Sequence, residues 1–303
     1  MDVVRGHSQL PAGPAAVVAI GNFDGVHLGH RALIDRARAL APALGARVAA
    51  LTFDPHPSAL FGGEPPHVAS LERRIELLGD AGADLVVVEP FTRELACLAA
   101  DAFVDAIVLD ALRARAIVVG YDFSYGHNRA GTADTLRAHG ARAGVAIDIV
   151  PVVDILGEVA SSTHVRAHLA AGELAAAERL LGRRWDVDGV VVHGAKRGRA
   201  IGIPTANIQP DIPLPIRGGI YAVTLAVDGA ELPAVASLGT NPTFVDGGAL
   251  VLEVHVLDWS GDIYDRRVRT TFVARLRDEL KFDGVDALLA QIRADIAAAR
   301  TFF

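Results

Sequence analysis

The chain has 303 residues, of which 51% are hydrophobic and 21% charged, with a formal net charge of -7. A chain of this length usually forms two domains, and the composition suits a globular protein rather than a disordered or fibrous one. The acidic balance argues against a partner such as nucleic acid, whose backbone is bound by clustered Lys and Arg. Cys97 is the only cysteine, which excludes an internal disulfide and favours a cytoplasmic location. No apolar run approaches the ~20 residues of a membrane span, and the oligomeric state is left open.

From Val17 to Pro151, short β-branched runs alternate with stretches of helical periodicity. The apolar runs are AVVAIG, RVAALTF, DLVVVEP, RAIVVG and VAIDIVP, and the segments between them repeat apolar residues at spacings of three and four. This order predicts an α/β domain of the doubly wound class, with helices on both faces of a parallel sheet. Ligands of such sheets bind outside the carboxyl ends of the strands.

From Trp185 onward the pattern changes to short alternating runs that are punctuated by Gly and Pro. The runs WDVDGVVVHG, GIYAVTLAVDG, LPAVASLG, ALVLEVHVLDW and VRTTFVARL predict a small antiparallel β-barrel. The terminal VDALLAQIRADIAAAR is amphipathic and predicts a helix that closes one side of the barrel. We therefore predict two domains, residues 1–184 and 185–303.

The stretch GNFDGVHLGH follows the first predicted strand. Gly21 and Gly25 permit a tight turn with positive φ, and a helix is expected to begin around Val26 to Leu28. Helix N-termini favour phosphate because their N–H groups are unpaired. His27 and His30, three residues apart, share one helix face and can contact the same anion. The alternative is a structural or metal-binding pair of histidines.

The same stretch matches neither a Walker A loop nor a dinucleotide-binding fingerprint, so histidines and backbone donors must balance the charge of any phosphate. Its H-x-G-H resembles the nucleotidyltransferase superfamily, whose members transfer a nucleotidyl group and release pyrophosphate. The resemblance implies that His27 and His30 are catalytic and stabilise charge as the α-phosphorus of ATP is attacked. It also implies phosphate or nucleotide contacts from Gly21, Asn22, Phe23, Asp24 and Gly25.

Three further stretches narrow the family: TFDPHP, VVGYDFSYGHNRAG and SSTHVR. Together with GNFDGVHLGH, residues 21–30, which we call the histidine loop, they resemble the adenylyltransferase half of the bacterial bifunctional riboflavin kinase/FAD synthetases. The resemblance implies that Asp122 helps to shape the nucleotide and flavin site, and that the nucleotide's phosphates are held by Ser162, Thr163 and Arg166. Taken alone, these stretches are also typical of a Gly-aromatic turn and a Ser/Thr helix cap, and His56 between two prolines is typical of a rigid turn.

The second half contains GAKRGRAIGIPTANI, a Gly-rich stretch with three basic residues, Lys196, Arg197 and Arg199. Glycines let backbone amides approach phosphate, and the Thr205 hydroxyl and the Asn207 carbonyl are oxygen ligands that suit Mg²⁺. A β-hairpin with a basic turn is the alternative.

With GGIYAV, ASLGTNPTF and LEVHVLDWSGDIYDRRVRTTFVARLRDELKF, this stretch resembles the flavokinase module of the same family. The resemblance implies that the G-x-P-T-A-N loop binds the phosphates of ATP and Mg²⁺, and that Glu253 is the general base for the 5′-hydroxyl of the ribityl chain. Periodicity alone is equally compatible with a solvent-facing Glu253. The implied phosphate ligands are Gly202, Pro204, Thr205 and Asn207, and the implied flavin contacts are Arg277 and Phe282.

The resemblance covers nearly the whole chain and implies two reactions. Riboflavin and ATP give FMN and ADP in the second domain, and FMN and ATP then give FAD and pyrophosphate in the first, both with Mg²⁺. Three residues depart from the family pattern: Ile203, Asp265 and His164. One rival is an adenylyltransferase for another cofactor precursor, which leaves GIPTAN without a purpose. The other rival is a barrel that only binds flavin and regulates its neighbour.

Overall fold

The computed structural model describes residues 1–194, 202–240 and 250–303, so the basic residues Lys196, Arg197 and Arg199 lie outside the described residues. Two compact units are present: Met1–Pro65 with Leu71–Ser161, and Pro66–Ser70 with Ser162–Phe303. Within these described ranges, no helix is long and apolar enough to cross a membrane.

The first unit contains a six-stranded sheet in which every neighbouring pair is parallel. The strand order in this sheet is β1-β4-β3-β2-β5-β8, and two short antiparallel ribbons are formed by β6 with β7 and by β9 with β10. The strands are β1 Asp2–Arg5, β2 Ala16–Ile20, β3 Arg47–Asp54, β4 Leu85–Pro90, β5 Ala114–Gly120, β6 Ser124–Tyr125, β7 Gly131–Thr132, β8 Ala146–Val150, β9 Asp154–Ile155 and β10 Glu158–Val159.

Helices cover both faces of this sheet. Successive residues of a strand point to opposite faces, so neighbouring residues of β2 belong to two different apolar clusters. On β2, Val17 packs with Ile34 on one face, whereas Val18 packs with Leu136 on the other. The expected doubly wound α/β architecture is confirmed. The helices are α1 Leu28–Leu40, α2 Leu71–Asp80, α3 Arg93–Ala96, α4 Ala100–Phe103, which runs into the π-helical Val104–Ala111, and α5 Ala133–Ala143, with 3₁₀ turns at His7–Gln9, Pro42–Leu44, Pro57–Phe61 and His127–Arg129.

The strand order places a topological switch point at β2. The chain runs from β2 through β3 to β4 on one side, then crosses over to β5 on the other side of β2. The loops that leave β2 and β5 therefore diverge and open a crevice at the carboxyl edge of the sheet, which is where ligands of open α/β sheets bind. The histidine loop follows β2, and the loop with Asp122 follows β5.

The second unit is a closed antiparallel barrel with the order β11-β12-β15-β14-β13-β16, which confirms the expected barrel. Its last helix packs on the barrel through Ala299, which lies in one apolar cluster with Ile220 and Val235, and the predicted closing helix is thus confirmed. The elements are α6 Ser162–Ala171, α7 Leu174–Leu181, β11 Asp186–Val192, β12 Ala206–Pro210, β13 Gly219–Val227, β14 Ala230–Thr240, β15 Leu250–Val256, β16 Arg267–Arg277 and α8 Val285–Arg300.

Candidate functional site

The loop between β2 and α1 turns through three residues with positive φ: Phe23 at 53°, Gly25 at 78° and Val26 at 41°. The expectation is confirmed for Gly25 and wrong for Gly21, which continues the line of the sheet and donates its N–H to the Leu51 carbonyl at 3.1 Å. Phe23 and Val26 are buried, and this packing holds them in a backbone region that L side chains rarely adopt. Such strain is typical of functional loops.

His27 and His30 lie together at the start of α1. His27 is the N-cap, and its Nδ1 accepts a hydrogen bond from the His30 backbone N–H at 3.3 Å. The two imidazoles stack with their centroids 3.6 Å apart and an angle of 23° between their planes, and the Phe23 ring meets His30 edge-on at 5.2 Å. The structure therefore brings the two predicted histidines into contact at a helix N-terminus.

His30 is half-buried, and its Nδ1 is buried without a hydrogen-bond partner among the described residues. Burial, followed by the charges of His27 and Arg74, holds the pKa of His30 well below its ordinary value of 6.5. An anion brought to this nitrogen supplies both the missing partner and an opposite charge, which favours the protonated form. These properties suit a contact to phosphate.

Gly29, the glycine of H-x-G-H, admits no side chain. A Cβ there would lie 2.9 Å from the Ala160 carbonyl oxygen and 3.0 Å from Cε1 of His27. We did not predict this residue as part of the site, although its place between the two histidines was the signal for it.

Asn22 ties the histidine loop to the end of β3. Its carbonyl accepts hydrogen bonds from the Thr52 hydroxyl at 3.0 Å and from Nη1 of Arg74 at 2.8 Å. Its side-chain amide lies 3.1 Å from Nε2 of His56, whose Nδ1 binds Ser58 and caps a 3₁₀ turn. Asp24 of the same loop is buried. The sequence did not single out Arg74, since an arginine in an amphipathic helix usually faces solvent.

The other predicted residues of this site lie in two places. Asp122 is exposed in the loop after β5, where the stacked rings of Phe123 and Tyr125, 5.2 Å apart, order the chain. Ser162 begins α6 of the second unit, and Arg166 there donates a hydrogen bond to the Thr163 hydroxyl at 3.4 Å. His164, a departure from the family pattern, is on the same turn of α6.

A cavity of about 330 Å³ opens in the second unit. It gathers four of the predicted site residues from separate stretches of sequence: Thr205, Glu253, Arg277 and Phe282. Its remaining lining is mostly apolar, with a few polar groups: Ile203, Ile220, Val235, Ser237, His255, Glu279, Leu280, Leu288, Ile292, Asp295 and Ile296. A largely apolar cavity with a few convergent polar groups is typical of a small-molecule site.

Strand pairing places Glu253 beside the predicted phosphate loop. Glu253 on β15 lies directly opposite Asn207 on β12, and directly opposite residues share one face of a sheet. Glu253 is exposed and so is free to approach a substrate, while the Asn207 amide lies against Gly194, where a Cβ would collide with it. Gly202, with φ 78°, and Pro204 are exposed just before β12.

The donor set fits Mg²⁺ bound together with phosphate. Within the described ranges, no cluster of three or more His, Cys, Asp or Glu side chains could hold a metal ion alone. Mg²⁺ usually takes only one or two protein ligands and completes its shell with water and substrate phosphates. The oxygens of Thr205 and Asn207 suit such a partial site.

Two interactions shape the wall of this cavity. The Arg277 guanidinium forms a bidentate pair with the buried Asp295 of α8, at 2.8 and 2.7 Å. Nδ1 of His255, two residues after Glu253, lies 2.7 Å from the Pro204 carbonyl oxygen. Asp265 has φ 60°, a conformation that Asp tolerates better than most residues.

Comparison with known proteins identifies the family of this chain. A FAD synthetase family model matches residues 11–164, and a riboflavin kinase model matches residues 181–303. A bifunctional riboflavin kinase/FMN adenylyltransferase from Pseudomonas fluorescens is 41% identical over 99% of this chain and 97% of its own. The chain belongs to this bifunctional family. The riboflavin kinase/FMN adenylyltransferase of Escherichia coli K12 is 37% identical over 100% of this chain and 98% of its own.

One solved structure shares the whole fold of this family member. It is described as a macrolide-efflux protein from Streptococcus pneumoniae, is 31% identical, and superposes with a TM-score of 0.91 over 100% of both chains. The two family models and the full-length relatives confirm the family that the sequence motifs indicated.

Proposed function

We propose that the two units carry out the family's two reactions in sequence. The second unit transfers the γ-phosphoryl group of ATP to riboflavin, which gives FMN and ADP. The first unit transfers the adenylyl group of a second ATP to FMN, which gives FAD and pyrophosphate. The cytoplasmic location that the single cysteine suggests stays a prediction.

The observation that carries the proposal is the convergence of Thr205, Glu253, Arg277 and Phe282 on one cavity. Its apolar wall accepts the flavin ring, and the ribityl chain reaches toward β15. Glu253 accepts the proton of the 5′-hydroxyl as that oxygen attacks the γ-phosphorus. Gly202 and Pro204 shape the backbone that approaches the phosphates.

Thr205 and Asn207 would hold Mg²⁺ in this site. A bound Mg²⁺ would supply positive charge that offsets the charge of the phosphates. Arg277, whose guanidinium is engaged by Asp295, contributes the shape of the flavin wall rather than a free charge.

At the first unit, the loop from Gly21 to Gly25 and the start of α1 receive the triphosphate at the switch point of the sheet. His27 and His30 stabilise the charge that builds up on the phosphates as a phosphate oxygen of FMN attacks the α-phosphorus. Asp122 orients the nucleotide and flavin. The phosphate contacts that the family resemblance implies for Ser162, Thr163 and Arg166, on α6 of the second unit, stay a prediction.

Two variants of the full chain test this assignment, with flavin products separated after incubation with Mg-ATP. We expect Glu253→Gln to make no FMN from riboflavin yet to convert supplied FMN to FAD. We expect His27→Ala/His30→Ala to make FMN and stop there. Each variant retains the other's activity and so serves as a control for folding.

A matched control removes a carboxylate elsewhere on the barrel. Asp228 lies in the exposed turn between β13 and β14 with φ 48°, a conformation that Asn also accepts. Asp228→Asn should retain both activities. If Glu253→Gln and the double histidine variant showed the same defect, the assignment of one reaction to each unit would be wrong.

A further inference from the structure

Arg74 is a buried arginine on α2 of the first unit, with 3% of its surface exposed. Arginine is almost never buried unless its charge and its donors find partners. A single nitrogen, Nη1, lies 2.8 Å from the Asn22 carbonyl, 3.1 Å from the Phe53 carbonyl and 3.3 Å from the Thr52 hydroxyl. The guanidinium therefore joins the histidine loop, which follows β2, to the end of the adjacent strand β3.

Carboxylates keep this buried group charged. Nη2 of Arg74 lies 3.6 Å from Asp54, at the end of β3. Burial lowers the pKa of Arg74, and the charges of Asp24, Asp54 and Glu72 oppose that shift. The first unit thus holds a full positive charge beneath the loop that carries the predicted phosphate contacts.

The hydrogen bonding of Arg74 is incomplete. Its Nε is buried and has no acceptor among the described residues. A buried donor without a partner is costly, so an arginine is a poor choice here for packing alone. The bonds that Arg74 does make all go to the edge of the sheet where the nucleotide is expected.

The same contacts extend to the second predicted loop of this edge. The Asn22 carbonyl accepts a hydrogen bond from Arg74, and the side-chain amide of Asn22 lies 3.1 Å from Nε2 of His56. Through this one residue, Arg74 constrains both the turn that precedes the histidines and the turn after β3. A small misplacement of groups that contact a reacting phosphate has a large effect on rate.

We propose that Arg74 is a positioning residue for adenylyl transfer, whose guanidinium fixes the loop from Gly21 to Gly25 on the end of β3 so that α1 presents His27 and His30 to the nucleotide. This inference rests on the reaction proposed above for the first unit. The charge of Arg74 also acts on His30 and favours its neutral form before an anion arrives.

The test uses Arg74→Met and Arg74→Lys in the full chain, with riboflavin phosphorylation by the second unit as an internal control. For Arg74→Met we expect kcat/KM for FAD formation to fall roughly ten- to a hundred-fold, with a higher KM for ATP. Riboflavin phosphorylation should stay within about two-fold of the wild type. Arg137→Met on α5, which removes an exposed arginine paired with Asp134, should change neither activity.

A comparison of activity with stability separates positioning from packing. Arg74→Met leaves buried carbonyl oxygens and nearby carboxylates without a cation, so it should melt below the wild type. Both variants are therefore assayed well below their melting temperatures, where the first unit is folded. A positioning role predicts that folded Arg74→Met still forms FAD slowly, and that Arg74→Lys, which keeps the charge and part of the hydrogen bonding, forms it faster.

Several results would overturn it. Wild-type kcat/KM for FAD formation by Arg74→Met, measured at a temperature where that variant is folded, would make Arg74 a structural residue only. If Arg74→Met lost both activities because it did not fold, Arg74→Lys would decide by the same comparison of FAD formation with riboflavin phosphorylation. A wild-type protein that formed no FAD would instead overturn the proposed function itself.

Discussion

Gly29 shows how one residue sets the geometry of the histidine pair. Because a Cβ there would lie 2.9 Å from a backbone carbonyl and 3.0 Å from the His27 ring, Gly29→Ala must push α1 or the His27 side chain aside. We expect kcat/KM for FAD formation to fall roughly ten-fold or more, with riboflavin phosphorylation unchanged. Gly63→Ala, at a glycine with open space around it, is the matched control. Equal FAD formation by the two variants would contradict this prediction.

His30 should make the stability of the first unit sensitive to acid. Its pKa in the folded chain is held well below 6.5, whereas in the unfolded chain it takes up a proton near its ordinary value. The unfolded state then binds more protons as pH falls below about 6.5, so the stability that neutral His30 allows at higher pH is progressively lost. Protection of β2 and α1 amides against hydrogen exchange, measured from pH 7.5 to 5.5, should fall less in His30→Asn than in the wild type. Parallel losses would refute the prediction.

At the scale of single residues, sequence motifs identified the groups with recognisable chemistry and missed those that support them. The sequence predicts roles for His27, His30 and Glu253, because histidines at a helix start can bind phosphate and a carboxylate can act as a general base. Arg74 acts through main-chain carbonyls that are distant in sequence, and no local pattern records that contact. The positive φ of Phe23 was unexpected for the same reason, since burial rather than residue type permits it.

At the scale of elements, the pair between Arg277 on β16 and Asp295 on α8 anchors the closing helix over the cavity. Asp295 is buried and also accepts a hydrogen bond from Gln291 at 2.9 Å. We expect Asp295→Asn to lower the free energy of unfolding by about 2 kcal/mol. It should also raise KM for riboflavin, because Leu288 and Ile292 of α8 line the cavity. Urea denaturation and steady-state kinetics measure the two effects.

The control for this prediction lies at the C-terminal end of the same helix. Arg300 forms a bidentate pair with Asp258, and both side chains are exposed. Exposed ion pairs contribute little to stability, so Asp258→Asn should leave the urea midpoint and KM nearly unchanged. If the two variants behaved alike, the Arg277 pair would not anchor α8.

Elements with strong periodicity were predictable from sequence, and weak ones were not. Helices cover both faces of the central strands, so β2 is fully apolar and β5 is apolar except for the exposed Arg115 near its start, and their sequence runs reveal them. Strand β1 and strand β12 escaped prediction, since each is short and at most one residue of each is buried. The strand order could not be read locally, because it depends on which strands pair after the chain crosses over.

At the scale of the whole molecule, the limits of the two units raise a question about where the second one begins. We predicted a boundary between residues 184 and 185, and this stays a prediction. Apart from Pro66–Ser70, however, the compact second unit begins at Ser162 and includes α6 and α7. These helices bury Leu169, Leu180 and Leu181, and the Leu169 carbonyl accepts the Arg217 N–H at 3.0 Å.

Two fragments of the chain, 162–303 and 185–303, test this directly. The shorter fragment lacks α6 and α7 and so exposes the side of β16 on which α7 packs, at a cost of about 25 cal/mol for each Å² of apolar surface uncovered. We expect 162–303 to melt about 10 °C or more above 185–303 and to phosphorylate riboflavin faster at 37 °C. Both fragments lack the Val68 carbonyl that accepts the Trp185 indole N–H at 2.8 Å, so that loss cancels in the comparison. Equal melting temperatures would place the boundary at residue 185 and leave α6 and α7 outside the kinase fold.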